Sequence, residues 1–179
     1  MLTQENAALI VVDVQGKLAH LMYEKERLFE NLGKLIRGVR VLQIPIIVTE
    51  QLPEKLGSTI PEIAELVPDV EPIRKSTFSC CGSDSFMHAL RSLKRRQILL
   101  AGIEAHVCVY QTALDLLNIG HVVHLVADAV SSRTAMNRRI GIKRITREGA
   151  KLTSTEMALF ELLRVAEGDK FKQILQIVK

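Results

Sequence analysis

The chain is poor in the residues that build disulfide, metal and nucleotide sites. Of its 179 residues only three are cysteines, two of them adjacent at Cys80 and Cys81, and aromatic residues make up 4%. No histidine lies between His20 and His88. So few cysteines make a poor disulfide framework and suit a reducing compartment. There is also no Walker loop, HExxH, CxxC or GxGxxG after the first apolar run, so the known metal and nucleotide motifs are missing.

Charge and hydropathy exclude further classes of protein. The 24 Lys and Arg against 20 Asp and Glu leave a small excess of +4. Arg139, Lys143 and Arg147 recur every four residues, which predicts a solvated helix face; with few aromatics and no recognition motif, we expect no nucleic-acid partner. No apolar run approaches the roughly 18 residues of a membrane span, and the first residues lack a basic targeting region. We expect no membrane partner and a cytoplasmic location, with an organellar one left open.

Short apolar runs alternate with longer helical patterns, which is typical of βα units around a parallel sheet. The fold class predicted is α/β, a three-layer αβα domain spanning residues 1–179, with an open six-stranded parallel sheet, helices on both faces and a Rossmann-like arrangement. Strands are predicted over residues 7–14, 44–50, 70–75, 97–103, 121–128 and 150–154. Helices are predicted over residues 26–43, 59–67, 83–96, 106–120, 135–149, 156–166 and 169–178.

Polar residues follow three of the predicted strands. In an open α/β sheet, ligands bind beyond the carboxyl ends of the strands. Asp13 lies at the end of the first strand, Lys75 ends the third, and Cys108 comes shortly after the fourth, where a helix begins. A thiol at a helix N-terminus beside a lysine favours the reactive thiolate, and a carboxylate can exchange its proton. This set therefore predicts nucleophilic catalysis by Cys108, with a lowered thiol pKa.

Each residue also has a structural interpretation. Free cysteine is commonly buried filler, which is an alternative for Cys108. Asp13 could cap a neighbouring loop, and His106 could be a hydrogen-bonded loop residue. The Cys80–Cys81 pair is interpreted as inert packing rather than a redox pair.

Three motifs resemble those of one known family. An Asp in "VVDVQ", a Lys in "IRKSTFS" and a Cys in "GIEAHVCVYQTALD" occur in this order over nearly the whole chain. Together they resemble the isochorismatase-like cysteine hydrolases, which include nicotinamidases and N-carbamoylsarcosine amidases. The resemblance implies a catalytic triad of Asp13, Lys75 and Cys108 and a cis peptide between Ile103 and Glu104. It also implies an oxyanion hole formed by the backbone N–H groups of Glu104 and Cys108, and a homo-oligomer.

Two features separate the chain from better-known branches of that family. The nicotinamidases have an Asp-x-His pair and a further histidine after the second strand, where this chain reads "VTEQLPEKLGST". No metal site can be built there from histidines, so no metal and no cofactor is expected. The siderophore-pathway isochorismatases lack the cysteine that this chain has. The chain therefore resembles the isochorismatase domain-containing branch, whose substrates are mostly unassigned.

The function predicted is a metal-independent cysteine hydrolase that acts on the C–N bond of a small amide or related compound through a thioester. Its partner is a small-molecule substrate, and Gln15, Glu50, Gln51 and Phe78 are candidates for the pocket wall. A different class of function stays open, namely a binding or scaffold protein without turnover, or a thiol redox sensor on the same fold.

Overall fold

The computed structural model describes all 179 residues, which form six strands and nine α-helices. The strands are β1 (Ala7–Val12), β2 (Ile46–Gln51), β3 (Ile73–Lys75), β4 (Gln97–Ile103), β5 (Val122–Ser131) and β6 (Lys151–Thr153). The helices are α1 (Gly16–Ala19), α2 (Lys25–Val41), α3 (Pro53–Leu56), α4 (Pro61–Ala64), α5 (Asp84–Leu93), α6 (Cys108–Asn118), α7 (Ala135–Arg147), α8 (Thr155–Leu163) and α9 (Gly168–Val178). A 3₁₀ turn covers Cys80–Gly82.

All six strands are parallel and follow the order β3-β2-β1-β4-β5-β6, which confirms the predicted sheet. The order of the strands reverses between β1 and β4: β2 and β3 follow on one side of β1, and β4, β5 and β6 lie on the other. In folds of this kind, ligands bind at such a point. Along β1, the side chains of Ala7, Leu9 and Val11 enter an apolar cluster of 28 buried residues. Ala8, Ile10 and Val12 enter a second cluster of 19. The sheet is therefore buried on both faces, as its continuous apolar strands predicted.

The reversal point depends on one close backbone approach. Gly102, near the end of β4, has φ +113°, and a Cβ built there would lie 2.2 Å from the carbonyl oxygen of Val12. Only glycine allows β4 and β1 to approach this closely with that backbone conformation. The ends of these two strands, which precede Asp13 and Glu104, are therefore held side by side.

The predicted elements differ from the structure mainly between β2 and β3. Residues 59–67 were predicted as one helix, but the structure has only the short α4, because Pro61 begins it and the chain turns again before Pro68. The short helices α1 and α3 were not predicted, since four residues are too few to show a period. Ser83 caps the N-terminus of α5, since its Oγ accepts the N–H of Phe86. No helix has both the length and the apolar character that crossing a membrane requires.

Candidate active site

Asp13 and Lys75 form an ion pair at the carboxyl ends of β1 and β3. The Nζ of Lys75 lies 2.6 Å from Oδ2 of Asp13, and both side chains are almost completely buried. The ammonium also donates to the carbonyl oxygens of Thr77 (3.0 Å) and Phe78 (3.1 Å). All three donors of the lysine are thus used, which is what a buried ammonium requires. The pair is consequently fixed in position.

Thr49 of β2 holds the other oxygen of Asp13. Its hydroxyl donates to Oδ1 at 2.7 Å, and the Asp13 N–H donates to the Thr49 carbonyl oxygen at 3.2 Å. Thr49 was not predicted as a site residue, although a hydroxyl inside the apolar run "IIVT" was a visible signal. With one oxygen bound by Thr49 and the other by Lys75, the orientation of the Asp13 carboxylate is fixed.

Cys108 is the first residue of α6 and lies beside this carboxylate. The residue is 7% exposed, and its thiol donates a hydrogen bond to Oε1 of Gln51 at 3.2 Å. Burial raises the pKa of the Cys108 thiol, the charge of Asp13 raises it further, and the charge of Lys75 only partly offsets this. The predicted lowering of this pKa was therefore wrong for the resting state. The helix N-terminus and the lysine do not outweigh desolvation beside a carboxylate.

Two backbone N–H groups close to Cys108 have no acceptor. The peptide bond between Ile103 and Glu104 is cis. The amide N–H groups of Glu104 and Cys108 take part in no hydrogen bond, backbone or side-chain. The Glu104 carboxylate accepts the Arg133 N–H at 2.9 Å and forms an ion pair with the Arg133 guanidinium. These two donors are the ones predicted for an oxyanion hole.

The loop that carries these donors packs closely against α7. A Cβ on Gly141 would lie 2.5 Å from the carbonyl oxygen of Ala105. The glycine therefore lets the helix approach the backbone between β4 and α6. His106, in the same loop, has its Nδ1 3.0 Å from Oγ of Ser132. It thus fits the interpretation as a hydrogen-bonded loop residue.

A cavity of about 290 Å³ opens above these residues. Its lining is mainly apolar, which suits a small ligand with few polar groups. The lining residues are Asp13, Leu18, Gln51, Leu52, Lys55, Leu56, Phe78, Ile103, Glu104, Val107 and Cys108. Of the four predicted wall residues, Gln51 and Phe78 line the cavity, whereas Gln15 and Glu50 do not.

Gln15 and Glu50 instead hold one wall from behind. The Gln15 side chain, which is fully buried, accepts the Gln51 N–H at 2.7 Å and donates to the carbonyl oxygens of Gln51 and Gly57. The Glu50 carboxylate accepts the N–H and the hydroxyl of Thr59 at 2.7 and 2.8 Å. Together they fix both ends of the segment of residues 52–58, which includes α3. Leu52, Lys55 and Leu56 on this segment were missed, because short turns have no sequence period.

The remaining candidates lie outside the cavity. Cys80 is fully buried and its thiol lies 3.7 Å from the Thr49 hydroxyl, while Cys81 is half-buried. Burial raises the pKa of Cys80 to about 11 and that of Cys81 to about 12. Arg139, Lys143 and Arg147 are exposed on α7, as predicted. No three His, Cys, Asp or Glu side chains are grouped so that they could hold a metal ion.

Comparison with protein families and known proteins gives one consistent result. The model of the isochorismatase domain matches residues 7–157. The "secreted isochorismatase effector Isc1" of Phytophthora sojae is 38% identical over 182 residues, which cover 99% of this chain and 87% of that protein.

Solved structures with the same fold include proteins with different described activities. The MAR1 ribonuclease of Caenorhabditis elegans superposes with a TM-score of 0.91 at 38% identity, over 99% of this chain and 91% of that one. The YcaC gene product of Escherichia coli, described as an octameric hydrolase of unknown specificity, superposes with a TM-score of 0.92 over 98% of this chain and 88% of that one. Its identity is 24%, so this likeness concerns the fold alone.

Proposed function

The chain belongs to the isochorismatase family and has the fold of its hydrolases, and from this premise we propose that it is a cysteine-dependent hydrolase of small amides or related C–N compounds. The observation that carries the proposal is the meeting of three groups at one cavity. These are the Cys108 thiol, the fixed Asp13 carboxylate, and two amide N–H groups without acceptors. Acyl transfer through a thioester needs a nucleophile, a proton carrier and oxyanion donors.

In the first step, Cys108 Sγ attacks the substrate carbonyl carbon while Asp13 takes the thiol proton. A raised thiol pKa is compatible with this order, since the proton leaves as the S–C bond forms and not beforehand. The electrons of the C=O double bond move to oxygen, and the N–H groups of Glu104 and Cys108 donate to the resulting oxyanion. Losing one such donor typically costs about 100-fold or more in rate.

The tetrahedral intermediate then collapses to a thioester. The C–N bond breaks, Asp13 gives its proton to the leaving nitrogen, and ammonia or an amine departs. Water next attacks the thioester carbon while Asp13 accepts a proton from it. The C–S bond breaks, and Asp13 returns the proton to Cys108. Lys75 stabilises the charge of Asp13 whenever the carboxylate is unprotonated.

The proposed reaction uses no metal ion. The basis is the donor set, since the family's histidine ligands have no equivalents between His20 and His88. Activity is expected to be unchanged after dialysis against a chelator. Stoichiometric metal in the purified protein, together with loss of activity when it is removed, contradicts this part of the proposal.

The deciding experiment is a turnover screen. Small primary amides, ureido compounds and esters are incubated with the wild-type chain, and release of ammonia or acid is measured. Cys108→Ala and Asp13→Asn are run in parallel and are expected to be inactive while keeping the wild-type circular dichroism spectrum. If no compound in a broad screen is turned over, or if the variants retain activity, the hydrolase proposal is wrong and the function as a scaffold or redox sensor is favoured instead.

A second candidate function is RNA cleavage, because a protein 38% identical to this chain is described as a ribonuclease. The exposed basic face of Arg139, Lys143 and Arg147 on α7 could contact phosphates. The mainly apolar cavity of about 290 Å³ favours a small substrate instead. Digestion of a labelled RNA by the wild-type chain, with Cys108→Ala as the control, separates the two functions. Cleavage that persists in the Cys108→Ala variant indicates a contaminating nuclease.

Quaternary structure and location are further parts of the proposal. We infer a homo-oligomer, because the resemblance to the isochorismatase-like hydrolases implies one and the chain belongs to that family. Multi-angle light scattering on the purified chain tests this, and a monomer at micromolar concentration contradicts it. A cytoplasmic location stays a prediction, and one relative is described as secreted. Fractionation of cells that express the full chain is the corresponding test.

A further inference from the structure

Of the three charged residues that line the cavity, two belong to ion pairs and one does not. Asp13 is neutralised by Lys75 and Glu104 by Arg133, so each acidic group at the cavity belongs to an ion pair. Lys55 is the remaining charged residue of the lining, and its ammonium takes part in no ion pair or hydrogen bond. When the counter-ions Lys75 and Arg133 are counted with the lining, the charge around the cavity sums to +1, which is the charge of the protonated Lys55 at neutral pH.

Lys55 is fixed at the cavity by its backbone. It lies in α3, and its N–H donates to the Leu52 carbonyl oxygen at 2.8 Å. The same segment is held at both ends by the buried Gln15 and Glu50 side chains. The backbone position of Lys55 is thus fixed. The residue is exposed, so its flexible side chain is accessible to a ligand.

The cavity lining that includes Lys55 is mainly apolar. Leu52 and Leu56 are neighbours of Lys55 on the same segment, and the other apolar side chains of the lining include Leu18, Phe78, Ile103 and Val107. A ligand that extends from Cys108 towards Lys55 therefore passes along apolar walls and reaches a single positive charge. Apolar walls reduce solvent screening, so the charge attracts an anion more strongly than it would on an open surface.

We propose that Lys55 is a specificity residue that binds the negatively charged end of the substrate. The inference rests on the proposed function and deepens it, since it defines the substrate class as small amides with an apolar linker and a terminal carboxylate. The scissile amide lies at Cys108, the linker contacts Leu52 and Leu56, and the carboxylate pairs with the Lys55 ammonium. Uncharged amides of the same size still fit but bind less well.

The test uses alkylation of Cys108, so it does not depend on turnover. Two iodoacetamides carry the same short alkyl chain on nitrogen, which ends in a carboxylate in one and in a carboxamide in the other. Labelling rates at Cys108 are measured by mass spectrometry of the full chain, and plain iodoacetamide serves as the measure of access in each variant. In Lys55→Met, the carboxylate-to-carboxamide rate ratio is expected to fall about two- to five-fold, the range of a partly screened ion pair.

Matched variants show whether the effect comes from the charge at residue 55 or from the overall charge of the protein. Lys55→Arg should keep the wild-type ratio, Lys55→Glu should lower it further than Lys55→Met, and Lys17→Met, at an exposed residue outside the lining, should leave it unchanged. An equal ratio in wild type and Lys55→Met, or an equal drop in Lys17→Met, overturns the inference while the proposed hydrolase stands. If none of the reagents labels Cys108, the nucleophile itself is refuted and both proposals fail.

Discussion

Two buried cysteines share the neighbourhood of Asp13, and only one of them borders empty space. Cys80 and Cys108 belong to the same apolar cluster, and burial, together with the charge of Asp13, raises the pKa of both thiols. Cys80 begins a 3₁₀ turn, is fully buried, and donates its N–H to the Thr112 hydroxyl. Cys108 begins α6 and faces the cavity. Acidity therefore does not distinguish the two thiols; access to a ligand does.

The largest expected contrast between them is in turnover. Cys108→Ala should lower kcat/KM by about three orders of magnitude or more, because the proposed nucleophile is removed. Cys80→Ala should keep kcat/KM within about three-fold of wild type, because Cys80 lies behind Thr49 and outside the cavity. Steady-state kinetics on both variants with the best substrate of the screen measure this contrast. A Cys80→Ala variant as inactive as Cys108→Ala removes the distinction.

The next largest effect is expected when the ion pair of Asp13 and Lys75, which lies beside both cysteines, is broken. In Lys75→Met the Asp13 carboxylate is left buried without its cation, so kcat/KM should fall by about 100-fold. The free energy of unfolding should also fall by about 3 kcal/mol, as in other buried pairs that lose one partner. Urea denaturation checks the second value. The double variant Asp13→Asn/Lys75→Met should be more stable than Lys75→Met alone, and the opposite order contradicts a charge-based cause.

Alkylation sharpens the comparison without a substrate. Iodoacetamide should label Cys108 about ten-fold faster than Cys80 or Cys81, because only Cys108 faces the cavity with a carboxylate beside it to take the proton. Since the thiol pKa values are raised, the rate should keep rising through pH 9 and show no plateau near the pH 8.5 of an ordinary thiol. Peptide mapping after brief labelling gives the order. Faster labelling of Cys81, which is half-buried, refutes the assignment of the activated thiol.

The smallest expected contrast is in stability, and here the Cys80 substitution should have the larger effect. Cys80→Ala removes a fully buried sulfur and should lower the free energy of unfolding by about 1 kcal/mol. Cys108→Ala enlarges a cavity that already exists, so its effect should stay within about 0.5 kcal/mol. Thermal and urea unfolding of the two variants measure the difference. A larger loss for Cys108→Ala indicates a packing role for this residue.

The parts of the site that the sequence predicted are those that depend on strand ends. Asp13, Lys75 and Cys108 follow three parallel strands, and parallel strands bring their carboxyl ends to one edge of the sheet. From this rule alone, the three residues are expected at the same edge of the sheet. The glycine, proline and apolar pattern around them also sufficed for the six strands and for the longer helices.

The cavity wall was predicted less well for two physical reasons. Neighbouring residues of a strand point to opposite sides, so Glu50 and Gln51 cannot both line one cavity, and the predicted wall was wrong for Glu50. Lys55 and its neighbours lie on a helix of four residues, which has no detectable period. The pKa of Cys108 depends on how far the surrounding side chains exclude water. That is a property of packing between distant segments and not of local sequence.

The clamp formed by Gln15 and Glu50 has a consequence for how this molecule can be altered. Because buried side chains hold residues 52–58 at both ends, the interior of that segment can be replaced as a cassette while Asp13, Lys75 and Cys108 keep their backbone positions. If the chain is the proposed hydrolase, libraries that randomise Leu52, Lys55 and Leu56 should thus change its substrate range at little cost in folding. Divergence within a lineage could follow the same route, with one reactive centre retained and a seven-residue insert exchanged.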